Sequence, residues 1–160
     1  LIRIFAAVHE KAPDWNLRII GEGDERPALE ALIREQGLSD CVTLTGKLSP
    51  EGVEREMLSA SIYASTSKSE GFMLTLVEGM SCGLAPVAYD VRVGPALIIT
   101  DSVNGYLVPD GDADGYAARL LGLINDPGLM AELCHAAVRR ARDFSKENIS
   151  QQWLNLLEDK

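Results

Sequence analysis

The chain has 160 residues, 46% of them hydrophobic and 24% charged. This is the make-up of one ordinary folded domain, with no run of the roughly 20 apolar residues that a bilayer crossing takes. A formal net charge of −9 excludes the basic face that nucleic-acid binding requires, but not a small phosphate ligand held by backbone N–H groups.

The chain opens on Leu1, inside an element: Leu1, Ile2, Phe5, Ala6 and Val8 approximate a helical stripe, and since a natural domain rarely begins so abruptly, a fragment boundary is expected just before Leu1. Residues 17–20 then predict a short strand ending at Gly21, and 28–36 a helix with Leu29, Leu32 and Ile33 on its apolar face. A second strand is expected over 42–45, stopped by Gly46. Ser49-Pro50 supplies a hydroxyl cap followed by a first-turn proline, so a helix follows, with Val53, Met57 and Leu58 on its buried side. Residues 62–65 predict a third strand, 72–81 a helix ending near Gly83, 86–89 a fourth strand, 96–100 a short helix and 106–108 a fifth strand.

Three helical segments close the chain. Ala117, Leu120, Leu121 and Ile124 follow helical spacing. Asp126-Pro127 restarts a helix carrying Leu129, Leu133 and Val138. Ser145 begins a last one carrying Ile149, Trp153 and Leu157, with Trp153 expected on this domain's own sheet. Short apolar strands alternating with helices predict an α/β fold, a Rossmann-like doubly wound parallel sheet.

Cys41, Cys82 and Cys134 form no C-x-x-C pair, and their odd number fits a reducing compartment better than a disulfide framework. His9 and His135 lie far apart, so no metal set is expected. With no secretion signal legible, Asn148-Ile149-Ser150 is read as a chance match to a glycosylation acceptor. Gly21-Glu22-Gly23 lacks the third glycine of a dinucleotide fingerprint, and no phosphate-loop, G-x-S-x-G or H-E-x-x-H run occurs.

Ligands of open parallel sheets bind beyond the carboxyl ends of the strands. The segments there are 21–24, 46–47, 67–71, 90–94 and 110–112, and the third is the most informative. Ser65-Thr66-Ser67-Lys68-Ser69-Glu70-Gly71 is polar and runs into the 72–81 helix, which puts free N–H groups and a positive dipole end at the crevice. A phosphate or diphosphate is the natural guest, and Gly71 lets backbone approach it. Glu70 and Glu78, taken as eight helical residues apart, span about 12 Å. That is too far for a glycosidase pair, whose carboxylates sit roughly 5–9.5 Å apart. The spacing suits two carboxylates gripping different parts of one long ligand. On spacing alone, the plainer reading is the better one: Glu70 as a first-turn acid complementing the dipole, and Glu78 as a solvent-facing helix residue.

The run Ser67-x-Ser69-Glu70-Gly71-Phe72, followed by Glu78-Gly79-Met80-Ser81-Cys82-Gly83-x-x-Pro86-Val87, resembles the signature of glycosyltransferase family 4 (group 1), including its E-x7-E motif. Leu17–Gly23, Val42–Gly46 and Asn104–Asp112 resemble further strands and turns of that family, so the likeness covers nearly the whole chain in order.

The resemblance implies one half of a GT-B fold and a retaining hexosyltransferase, with residues 1–160 as its nucleotide-sugar-binding C-terminal domain. The acceptor-binding N-terminal domain and the first strand of this domain would lie upstream. It further implies that Glu70 contacts donor-sugar hydroxyls at the anomeric centre. Backbone groups of Gly71, Phe72, Met73 and Leu74 would meet sugar and diphosphate, and Glu78 would hold the ribose. Gly46, Lys47 and Leu48 would lie near the base, and Gly21 would leave room for the nucleotide. Lys47 and Lys68 read better as solvated surface residues.

The expected partners are a nucleotide-diphosphate-sugar donor such as a UDP-sugar and, through the upstream domain, a glycan, lipid or cell-envelope polymer acceptor. No metal or other cofactor is expected. The expected setting is cytoplasmic, with the full-length enzyme peripheral at the inner membrane face, and the isolated domain is expected to be inactive.

Two departures stand out. The family's upstream Arg and Lys, which clamp the diphosphate, fall outside this sequence. Val93-Gly94-Pro95-Ala96-Leu97-Ile98-Ile99 carries no carboxylate where the family often has one. The alternatives are a non-catalytic nucleotide-binding regulatory domain, which would tolerate Glu70→Gln, and half of a nucleotide-sugar epimerase, for which no acid–base set is visible.

Overall fold

The computed structural model describes residues 1–158. The chain opens with α1 (Ile2–His9), whose Ile2, Ile4, Phe5 and Val8 are buried, and continues through β1 (Leu17–Ile20), α2 (Arg26–Glu35) and β2 (Val42–Gly46). Next come α3 (Pro50–Leu58), β3 (Ile62–Ser65), α4 (Leu74–Ser81), β4 (Ala85–Asp90), α5 (Pro95–Ile98) and β5 (Tyr106–Pro109). Helices α6 (Ala113–Asn125), α7 (Pro127–Ala141) and α8 (Lys146–Glu158) finish it, a short 3-10 turn (Arg142–Phe144) separating the last two.

Short polar side chains set several helix starts by satisfying orphan N–H groups. Ser49 Oγ accepts from Gly52 N at 3.2 Å, Asp112 Oδ1 from Gly115 N at 2.9 Å, and Asp126 Oδ1 from Leu129 N at 2.9 Å.

Among the described residues the five strands pair in parallel, in two sheets of order β1-β2 and β3-β4-β5, with one isolated antiparallel bridge between Gly21 and Gly46. Leu17 pairs with Val42, Ile62 with Ala85, and Val87 with Tyr106. Central β4 is buried from Ala85 to Tyr89, as expected of a parallel strand covered on both faces. This is the α/β, Rossmann-like layering that the alternation of elements predicts. One core joins α1, β1, β2, β4, β5 and α6. A second, built on Met73, Leu76, Met80, Ile98, Ile99, Ala137 and Ala141, lies between α4, α5 and α7 and backs the loop that leads into α4.

Three expectations need correction. The 72–81 helix begins at Leu74, so Phe72 and Met73 belong to the loop. Leu58, the last residue of α3, is 63% exposed; it falls off the face on which Met57 is buried. Trp153 does not pack on this domain's sheet. It is 62% exposed, beside the exposed Leu154, Leu156 and Leu157, because α8 touches little beyond the 3-10 turn.

Candidate functional site

The segment between β3 and α4 is extended and irregular, and its backbone donors are largely unused. Leu74 N bonds Phe72 O, and Leu76 N bonds Met73 O. Among the described residues, the N–H groups of Glu70, Gly71, Phe72, Met73 and Thr75 donate to no protein acceptor. Such a row of free donors ahead of a helix N-terminus concentrates positive partial charge. Gly71 faces open space: a β-carbon there would meet nothing within 4 Å. Met73 anchors the row from beneath, being 3% exposed in the second core. Phe72 turns aside, its ring 5.5 Å from that of Phe144, and Leu74 is 65% exposed.

Glu70 lies four residues before the helix, not in its first turn, so the role of a first-turn dipole acid does not apply. The helical ruler for the Glu70–Glu78 distance also fails, because half of that span is loop. Glu70 is half-buried, and Glu78 is exposed in mid-helix. Neither carboxylate has a hydrogen bond or ion pair among the described residues.

Tyr63, on β3, is bonded to the first turn of α4. Its hydroxyl lies 2.8 Å from Thr75 Oγ1. Burial raises its pKa, the hydrogen bond with Thr75 opposes this, and the negative charges of Glu70 and Glu78 add to the rise. Nothing in the sequence singles out Tyr63 beyond its place on an apolar strand.

Gly94 is a second missed residue. It sits at φ 109°, ψ −85°, a backbone region closed to other residues, and a β-carbon on it would lie 3.0 Å from that of Glu70. Gly94-Pro95 ahead of a short helix was the available signal. Helix α5, which follows, is held at its far end. Asn104, 4% exposed, accepts from Thr100 N at 2.7 Å and donates to Ile98 O at 3.2 Å, while Arg140 donates to the Leu97 and Ile98 carbonyls.

The remaining predicted residues form a separate group at the ends of β1 and β2. Gly21 N donates to Gly46 O at 3.0 Å, and both glycines have positive φ, 138° and 74°. A β-carbon on Gly46 would press on the Glu22 carboxylate at 3.3 Å, which itself pairs with Arg26. Lys47 is exposed and Leu48 half-buried. These residues sit on the first sheet and the Glu70–Glu78 group on the second; among the described residues no hydrogen bond or ion pair joins the two groups.

A model of the family described as "Glycosyl transferases group 1" matches residues 1–144. Poly(ribitol-phosphate) alpha-N-acetylglucosaminyltransferase of Staphylococcus aureus is 30% identical over 157 residues, which cover 98% of this chain and 31% of the relative. The pneumococcal O-GlcNAc transferase GtfA, solved in complex with UDP and GlcNAc, superposes with a TM-score of 0.87 at 26% identity, covering 99% of this chain and 32% of that one. The C-terminal domain of a glycosyl transferase group 1 family protein (LpcC) from Francisella tularensis gives 0.81 at 27% identity, covering 92% of this chain and 77% of that one. The chain spans less than half the length of the curated relatives it matches.

Proposed function

Because the chain belongs to the group 1 glycosyl transferases, we propose that it is the donor-binding part of a retaining hexosyltransferase that uses a nucleotide-diphosphate sugar. The observation that carries this reading is the row of unused N–H groups from Glu70 to Thr75, flanked by two unpartnered carboxylates. Donors so arranged match a diphosphate. Carboxylates on either side match hydroxyl-rich groups at its two ends: Glu70 the sugar, Glu78 the ribose.

Gly21, with nothing within 4 Å of where a β-carbon would stand, leaves room for the nucleotide beside Gly46, with Lys47 and Leu48 near the base. A UDP-sugar is favoured by the ligands of the pneumococcal neighbour, UDP and GlcNAc. A polymer acceptor is favoured by the name of the staphylococcal relative. That acceptor would be held chiefly by parts of the whole protein outside these residues, and the isolated domain would not transfer.

In the proposed reaction the bond between the anomeric carbon and the β-phosphate oxygen breaks. The acceptor oxygen attacks the same face, and its proton passes to the departing phosphate. Charge grows on that phosphate as the bond lengthens, and the fixed N–H row meets it without reorganising, which is where preorganised donors gain most. Glu70 orients the sugar so that the acceptor face stays open. No step calls for a metal.

The test is transfer of labelled sugar by the whole protein from a panel of UDP-, GDP- and ADP-hexoses. One donor supporting transfer, at a rate that Glu70→Gln lowers by about 10- to 150-fold, is the expected result. Undiminished transfer by Glu70→Gln would overturn the role assigned to Glu70.

A further inference from the structure

The loop ahead of α4 is pinned at its ends and bare between them. Ser65 closes β3, and Met73 is sunk in the second core. Among the described residues, the amides of Glu70, Gly71 and Phe72 donate to no protein acceptor. With those donors free, the stretch takes its position from the side groups it rests on, and two of these stand out. Gly94, at the start of α5, abuts Glu70 and Gly71. Phe144, in the 3-10 turn, holds its ring 5.5 Å from that of Phe72 at an angle of 57°, a favourable tilted aromatic pair.

Neither support is rigid by itself. Helix α5 has four residues, a single turn, and a helix that short does not hold together alone. Its last carbonyls find no partner within the helix. Phe144 belongs to a three-residue turn whose Arg142 and Asp143 are exposed. Helix α7, in contrast, is firmly seated, with Leu133, Ala137 and Ala141 buried.

Arg140, in the last turn of α7, reaches both supports with one guanidinium. Its Nη2 donates to the Leu97 carbonyl at 2.7 Å and its Nε to the Ile98 carbonyl at 3.1 Å. Its Nη1 donates to Asp143 at 2.8 Å, and its Cζ lies over the Phe144 ring, 4.8 Å from the centroid. Hydrogen bonds from a charged donor are among the strong ones, and a cation over a ring adds to them. A planar fork on two successive carbonyls is a geometry that the single ammonium of a lysine does not reproduce.

We propose that Arg140 is a positioning residue for the loop ahead of α4. By fixing α5 and Phe144 to the same rigid helix, it sets where Glu70, Gly71 and Phe72 stand, although it bonds to none of them. Its effect on sugar transfer, but not its effect on the loop, rests on the donor-site reading.

The test measures backbone order parameters in the ligand-free whole protein. Those of Gly71 and Phe72 are expected to lie near about 0.85, the rigid value, and to fall below about 0.6 in Arg140→Gln. Arg140→Lys is expected to loosen them as well, and Phe144→Ala to loosen Phe72 while Leu97 stays rigid. Leu123, fully buried in the main core, should stay rigid in every variant, which separates loss of position from loss of fold. Transfer by Arg140→Gln is expected to fall by about 10- to 100-fold. Order parameters at Gly71 and Phe72 that Arg140→Gln leaves unchanged overturn the proposal, and so does a loss of order that reaches Leu123. Full rigidity in Arg140→Lys overturns the role of the fork. A loosened loop with undiminished transfer, in a protein that Glu70→Gln does impair, overturns the link to the reaction. Where Glu70→Gln impairs nothing, the donor-site reading is what fails, and the order parameters alone decide the role of Arg140.

Discussion

Gly94 and Glu70 are packed so closely that a β-carbon on Gly94 would lie 3.0 Å from the Glu70 β-carbon and 3.4 Å from the Gly71 carbonyl oxygen. The start of α5 is thus the wall against which the loop ahead of α4 rests. Gly94→Ala would meet that wall and would also be forced into a φ of 109°. The strain is on the order of 1–3 kcal/mol. Thermal unfolding of the variant is expected to show that loss. Its transfer rate should fall by about 10- to 100-fold, the effect of misplacing a positioning group by about an ångström.

Glu70 and Glu78 should separate kinetically. A hydrogen bond to a charged group is worth about 1.5–3 kcal/mol, or roughly 10- to 150-fold. Glu78→Ala is expected to weaken nucleoside diphosphate binding by that factor in calorimetry. Glu70→Gln should leave diphosphate affinity within about twofold while lowering turnover by the same 10- to 150-fold. Equal losses of nucleotide affinity in both variants would remove the division of roles.

Close approach of α4 to β3 depends on Gly79, where a β-carbon would lie 2.9 Å from the Tyr63 ring. Gly79→Ala gains about 1 kcal/mol of helix propensity, but overpacking costs about 1–3 kcal/mol. The ring that must give way is the one bonded to Thr75. Urea denaturation should show net destabilisation, and a more stable variant would mean that the ring moves freely.

Tyr116 is fully buried, and its hydroxyl donates to the carbonyls of Val87 and Ser65, at the base of the loop. Burial pushes its pKa far above the ordinary value of about 10. The unfolded chain therefore releases this proton first as pH rises. The stabilisation from the neutral phenol is complete below about pH 10 and is lost above it, at up to about 1.36 kcal/mol per pH unit. Burial also raises the pKa of Tyr63 and of Tyr89, which adds to the same slope. Tyr116→Phe should be less stable at neutral pH by about 1–2 kcal/mol, with a shallower alkaline decline in stability.

The element order was legible because each strand is a short apolar run closed by glycine or a polar turn, and because Ser49-Pro50 and Asp126-Pro127 announce their helices. The start of α4 was not legible. Phe72 and Met73 are apolar and continue the helical pattern, yet Met73 is drawn into the core behind the loop and Phe72 turns to Phe144. Local pattern cannot register that pull. For the same reason the contacts of Glu70 with Gly94, and of Tyr63 with Thr75, escaped the sequence: they join residues 24 and 12 positions apart and show only in the fold. The break between the β1-β2 and β3-β4-β5 sheets was equally hidden, since apolar runs reveal strands but not their neighbours. Residues Trp153 and Leu157 carried a helical stripe that predicted burial, but periodicity does not say which surface covers a stripe.

The central claim is that the free N–H groups ahead of α4 hold the diphosphate of a nucleotide sugar. It is tested most directly by titrating the isotopically labelled protein with UDP, GDP and ADP and following the backbone amide resonances. The account predicts saturable shifts for one nucleotide at Gly71, Phe72, Met73 and Thr75, with smaller ones at Gly21 and Gly46. A nucleotide that binds while those amides stay unmoved, or shifts them no more than inorganic phosphate does, would contradict it.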